Sequence, residues 1–192
     1  MKAIARGGLA CYGHLFFLAF WGSLVAGYFY YGFFNEGDWT CYATQDDDVT
    51  VPWDKRTQGD APDEYHDVNA NFKVVCIWGF FNYLFALLLW LFVLTVKGSL
   101  EEPIGPCVAI SIAVLGTCWL AHFLTLMIMR WRHAGKTCSG DYYEDVSRYS
   151  LFHTTEPYLH DAGSFLFYAI VSQFTAALAA ISAAGINIGI DG

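Results

Sequence analysis

The sequence predicts an all-α fold: a four-helix transmembrane bundle with a loop-rich acidic cap on one face. Three observations lead there. The uncharged runs 7–34, 74–96, 103–129 and 162–190 hold 28, 23, 27 and 29 residues without Asp, Glu, Lys or Arg. Each exceeds the roughly 20 residues that carry a helix across about 30 Å of hydrocarbon. A polar insert at 35–73 separates the first two runs and carries ten acidic residues against three basic ones. Finally, Cys41 and Cys138 are the only cysteines outside the runs, one in each long polar segment.

Helices are the expected form of the runs, because backbone groups in lipid must be paired within the segment. A transmembrane barrel would show short alternating segments instead, and the helices of a soluble bundle would show a polar face. The composition agrees, with 56% apolar and 18% aromatic residues in 192. The chain is read as one membrane domain, 1–192, with spans at about 8–34, 74–96, 104–129 and 163–186. A large acidic loop occupies 35–73 and a second loop 130–161. The first run is longer than the ~7–15 residue core of a signal peptide, so it is expected to be a retained span.

In chain order, Met1–Arg6 is a short basic lead. The first span carries Ala19, Ser23 and Gly27, small residues that fall on one helix face and permit close approach of a neighbour. It ends in a cluster of Tyr and Phe at 28–34, which suits the membrane–water boundary. In the insert, residues 50–53 are a candidate strand that Pro52 confines to an edge position. The second span is the bulkiest, with Asn82 its only strongly polar residue. Residues 97–103 form a tight turn that makes spans two and three antiparallel neighbours. The third span repeats the small-residue row at Ala109, Ala113, Thr117 and Ala121. Cys138 to Asp141 is expected to turn. The fourth span carries Ser172, Ala176, Ala180 and Ala184, and the third and fourth spans are expected to pack along these rows.

Orientation follows from two opposing signals. The face with both termini and the 97–103 turn has three basic residues, whereas the face with the two long loops has seven. Basic residues favour the cytoplasm, but the loop face also holds 15 acidic residues and nets −8. The cysteines decide it. One disulfide between Cys41 and Cys138 across the two loops fits an oxidising exterior. The loops are therefore expected outside, in a multi-pass protein of the plasma, ciliary or other cell-surface membrane.

The chemistry-bearing residues form no enzyme-like pattern. No Cys-X-X-Cys pair exists for a quinone-linked disulfide oxidoreductase. His14 and His122 differ in depth by roughly 15–20 Å along their helices, which is unsuited to one bis-histidine haem. His133, Cys138, His153 and His160 match no compact zinc spacing. Asp46 to Asp48 lack the glycine and spaced ligands of a calcium loop. A net charge of −8 without a large basic patch disfavours nucleic acid. No cofactor and no catalytic residue is expected. Arg130, Arg132 and Lys136 either anchor a span end at the headgroups or form an inter-subunit basic patch facing a neighbour's acidic loop.

Four spans, a large first loop and a smaller second one, with Trp39-Thr40-Cys41 in the first loop, resemble the claudin-like and MARVEL-type tetraspan families. The chain departs from the claudin pattern in having no second cysteine in that loop, and it lacks the Cys-Cys-Gly of tetraspanins. The resemblance implies lateral assembly and membrane organisation rather than chemistry, and it assigns no site. The expected function is a structural membrane protein forming a homo-oligomer or joining a larger assembly, with the lipid bilayer as its other partner. Two alternatives stay open. One is a channel or transporter subunit with an acidic vestibule, lined by Asn82, Thr117, Thr125, Ser172 and Gln173. The other is an accessory subunit of an energy-converting membrane complex.

Overall fold

A computed structural model describes residues 2–34, 41–46, 48–49, 52, 60–96, 104–142 and 159–190, with side chains at 15–34, 41–46, 48–49, 52, 60–95, 106–142, 159 and 161–176. Its long helices are α1 (Lys2–Phe29), α2 (Val68–Val96), α3 (Ile104–Trp131) and α5 (His160–Ile190), with a short α4 (His133–Ser139). Two-residue strands, β1 (Tyr42–Ala43) and β2 (His66–Asp67), pair antiparallel, with Tyr42 opposite Asp67. Among the described residues, three segments are long and apolar enough to cross a membrane: Leu15–Phe34, Val68–Thr95 and Pro106–Trp131. That is the character of a membrane protein.

Helix boundaries differ from the charge-based reading, for local reasons. α2 starts at Val68 rather than at 74. Asp67 caps it, its Oδ1 accepting the Ala70 N–H at 3.0 Å, which satisfies one of the four donors a helix start leaves open. Lys73 therefore sits inside the helix, and the first loop ends six residues earlier. Charge marks where lipid begins, not where the helix begins. Pro106 is tolerated because it lies in the first turn of α3, where its missing N–H has no intrahelical partner to lose. The expected strand at 50–53 lies outside the described residues except for Pro52. So do residues 35–40 and 53–59, the turn at 97–103 and the loop 143–158.

The chain divides into two compact units. The first comprises Met1–Gly37 and Phe72–Leu124, the second Asp38–Asn71 and Thr125–Gly192. In the first unit, α1 ends in a π-helical turn, Tyr30–Phe34. Gly32 in that turn is buried against α2; a Cβ there would stand 3.2 Å from the Ile77 backbone nitrogen. The core of the unit is aromatic. Tyr28 stacks on Tyr83 with ring centroids 5.3 Å apart, and His122 of α3 meets Tyr28 edge-on at 5.4 Å. The indole N–H of Trp119 donates to the Tyr83 hydroxyl at 3.0 Å.

Gly79 makes this cluster possible. A Cβ there would lie 2.7 Å from Tyr28 Cδ1 and 2.9 Å from His122 Nε2. Both rings are already fully buried, so neither can yield without disturbing the stack. Gly79→Ala is expected to cost about 1–3 kcal/mol as an overpacking change. Gly22 and Gly116 have nothing within 4 Å of the same position, so Ala at either should be neutral or slightly stabilising, since Ala is the better helix former. Thermal unfolding of the three variants in one detergent checks this, and equal midpoints would refute the tight-packing account.

Candidate functional site

The second unit holds the densest polar constellation, built around a disulfide between Cys41 and Cys138, whose Cα atoms are 5.9 Å apart. Cys41 directly precedes β1 and Cys138 lies in the last turn of α4; both are fully buried. Their backbone carbonyls are used as well. Cys41 O accepts the N–H of Val68, the first residue of α2, at 2.9 Å. Cys138 O accepts the N–H of Leu159, just before α5, at 2.7 Å. The covalent bond therefore joins two residues that each receive the start of a long helix.

Beside it lies an ion pair buried on its arginine side. Arg130 donates through Nη1 and Nη2 to both carboxylate oxygens of Asp141, at 2.6 and 2.8 Å, and through Nε to Gly163 O at 2.9 Å. Its guanidinium also sits 5.9 Å from the centre of the Phe167 ring. The Arg130 side chain is 6% exposed and that of Asp141 35%, so the cation depends on its partner more than the anion does. Such a fork–fork pair fixes direction as well as charge.

Two glycines and a turn bring these groups together. Gly140 adopts φ 76° at the end of α4 and its N–H closes on that helix, a left-handed cap that glycine takes without steric cost. The turn delivers Asp141 back to Arg130. A Cβ on Gly135 would collide with the Met129 carbonyl, which shows how tightly α4 folds back on the end of α3. A Cβ on Gly163 would stand 2.6 Å from Ser139 Cβ, so α5 enters against α4 backbone to side chain.

His133 adds a third tie. Its Nε2 lies 2.8 Å from Val49 O and its Nδ1 2.9 Å from the Tyr142 hydroxyl. A carbonyl can only accept, so Nε2 carries the proton and Nδ1 accepts from Tyr142. Together, disulfide, ion pair and histidine hold β1, α4 and the start of α5 as one piece. Among the described residues, no group of three or more His, Cys, Asp or Glu could hold a metal ion. The arrangement offers mechanical fixation.

The site residues expected from sequence divide as follows. Cys41 and Cys138 form the disulfide. Arg130 is buried in its own chain and bonded to Asp141 and Gly163. Arg132 is half-buried, with Nε and Nη2 lacking hydrogen-bond partners, and burial lowers its pKa. Lys136 is half-buried one turn later. Ala19 and Ser23 are exposed and Gly27 half-buried; Ala109, Ala113, Thr117 and Ala121 are all exposed. Ser172 is half-buried and Ala176 exposed, while the side chains of Ala180 and Ala184 lie outside the described residues. Of the residues expected to line a pore, Thr117 and Ser172 donate their hydroxyls to carbonyls of their own helices, each at 3.0 Å.

Sequence reading assigned no role to Asp141, Gly163 or Ser139, and of His122 it drew only that it is unsuited to share one haem with His14. In the structure, His122 Nε2 donates to Val75 O at 3.2 Å while Nδ1 is buried without a partner. Comparison of the chain with protein-family models, with characterised proteins and with solved structures finds no significant match.

Proposed function

We propose that the chain is a non-enzymatic, structural integral membrane protein that assembles laterally into a homo-oligomer or a larger membrane complex. In this reading it crosses the bilayer four times, α5 supplying the fourth span, with the acidic loops outside a cell-surface membrane. The observation that carries the assembly is the exposure of Ala109, Ala113, Thr117 and Ala121 along one face of α3. Exposed Ile and Leu are satisfied by lipid, and few described residues of this span are fully buried. A row of small residues gains from a second helix approaching closely, because van der Waals contact between helices replaces the hydrophobic drive that lipid does not supply.

The charge acts in the opposite sense. Loops of net −8 repel one another over a Debye length of about 8 Å at physiological ionic strength. Arg132 and Lys136 are the cations of the basic patch that make no ion pair among the described residues, and they offset part of that repulsion across the contact. The expected result is an oligomer in mild detergent whose mass grows with salt, and which Ala113→Leu reduces without unfolding the monomer. Light scattering across a salt series measures both. A monomer under every condition overturns the proposal, and weaker association at high salt overturns the repulsion argument.

A further inference from the structure

Two arginines stand at the end of the segment Pro106–Trp131, and they are held differently. Arg130 spends its three side-chain nitrogens inside the chain, Nη1 and Nη2 on Asp141 and Nε on Gly163 O. Arg132 is the residue directly after the segment. Its Nε and Nη2 are buried and make no hydrogen bond. These two nitrogens form one edge of the guanidinium, with their N–H groups parallel. That edge is the fork that grips two oxygens of one carboxylate or phosphate. Donors taken from water without an acceptor are costly, and burial lowers the pKa of this arginine. An oxyanion on the edge would offset that cost.

Lys136 brings a second charge. Its N–H bonds to Arg132 O at 3.1 Å, one helical turn on, and residues so spaced are neighbours on a helix surface. Among the described residues, neither Arg132 nor Lys136 makes an ion pair. Like charges at this spacing repel, and an anion shared by both removes the repulsion. Place identifies the anion. Trp131 is 41% exposed, and an aromatic at the end of a membrane span sits at headgroup level. Arg132 is half-buried, so its long side chain can turn the open edge to that layer. The oxyanion that the layer carries is phosphate.

We propose that Arg132, with Lys136, binds the phosphate of an anionic membrane lipid. Nε and Nη2 each donate to one phosphate oxygen, and the Lys136 ammonium acts as a point charge. The proposal rests on reading Pro106–Trp131 as a membrane span and needs no oligomer. Where the protein does assemble, the lipid competes with a neighbour's acidic loop for Arg132, so lipid occupancy sets how much loop repulsion this arginine offsets.

The test uses the full chain in a phosphate-free maltoside buffer. Native mass spectrometry counts bound phosphatidylglycerol, with diacylglycerol as the phosphate-free control. Wild type should retain phosphatidylglycerol and not diacylglycerol. Arg132→Gln should weaken that binding about tenfold, the loss expected for a charged hydrogen-bonded contact. Arg132→Lys should weaken it severalfold, because the charge stays and the fork is lost. Phosphatidylglycerol should raise the thermal midpoint of wild type and not that of Arg132→Gln. Without lipid, Arg132→Gln should melt no lower than wild type, since the deleted donors have no partner to lose. A lower midpoint there shows that the chain itself uses them and overturns the site. Equal phosphatidylglycerol binding in wild type and Arg132→Gln also overturns it, and a smaller oligomer in that variant would then assign the edge to a neighbour's carboxylate. If inorganic phosphate alone raises the wild-type midpoint as much as the lipid does, the lipid source is overturned. A chain that stays dissolved without detergent overturns the span reading, whereas one that needs detergent but takes no phosphatidylglycerol overturns the site alone.

Discussion

Asp141→Ala is expected to destabilise the second unit by about 3 kcal/mol, and Arg130→Met by only about 1–2 kcal/mol, although both remove the same ion pair. The asymmetry comes from burial. The Arg130 side chain is 6% exposed and that of Asp141 35%. Without Asp141, a full positive charge stays buried with one backbone carbonyl, Gly163 O, as its remaining acceptor. Without Arg130, the carboxylate turns to water, and methionine keeps apolar contact with Phe167 where the guanidinium stood. A double-mutant cycle in detergent, followed by thermal unfolding, measures both costs and their coupling. If Asp141→Ala costs no more than Arg130→Met, the arginine reaches water in a way its burial denies.

The segments long and apolar enough to cross a membrane were legible because lipid imposes one strong rule, and uncharged runs obey it. Leu15–Phe34, Val68–Thr95 and Pro106–Trp131 overlap the first three runs. The disulfide was legible for a related reason: only two cysteines lay outside the runs, one in each long loop. What sequence did not give is the part set by backbone turns. Asp141 reaches Arg130 only because Gly140 takes a left-handed conformation after a seven-residue helix. That helix sits in a stretch that reads as loop, since seven residues show too little periodicity. Gly163 looked like a small residue in a span, yet its role is to admit Ser139 and to offer its carbonyl to Arg130. The Asp67 cap was hidden among nine other acidic residues of the insert, which drew attention to net charge instead of to the one carboxylate at a helix start. His122 followed the same pattern. Its depth was readable, but the close approach of Tyr28 and Gly79 to its ring is a tertiary contact that no spacing announces.

Loss of the Cys41–Cys138 bond should have the largest effect of any single change. The bond closes 97 residues of chain, and in the chain-entropy picture a loop of about 100 residues gives about 4.7 kcal/mol. That figure assumes a freely moving unfolded chain. Here α2 and α3 lie inside the loop and, read as membrane helices, they persist when the second unit opens. The unbridged state is already constrained, and about 2–4 kcal/mol is the better expectation. The loss should be local. The carbonyls of Cys41 and Cys138 hold the N–H groups of Val68 and Leu159, so reduction should release the start of α2 and the entry to α5 together. Amide exchange at Val68, Ala70 and Leu159 should then speed up by roughly thirty- to a thousandfold, the fold-change that 2–4 kcal/mol represents, while amides of α2 beyond Phe72 stay protected in the first unit. Hydrogen exchange on the Cys41→Ala/Cys138→Ala variant in micelles reads this residue by residue. Unchanged protection at Val68 and Leu159 would show that β1, α4 and the Arg130–Asp141 pair hold the clasp without the covalent bond. Equal loss of protection along α2 would show instead that the bond supports the spans themselves.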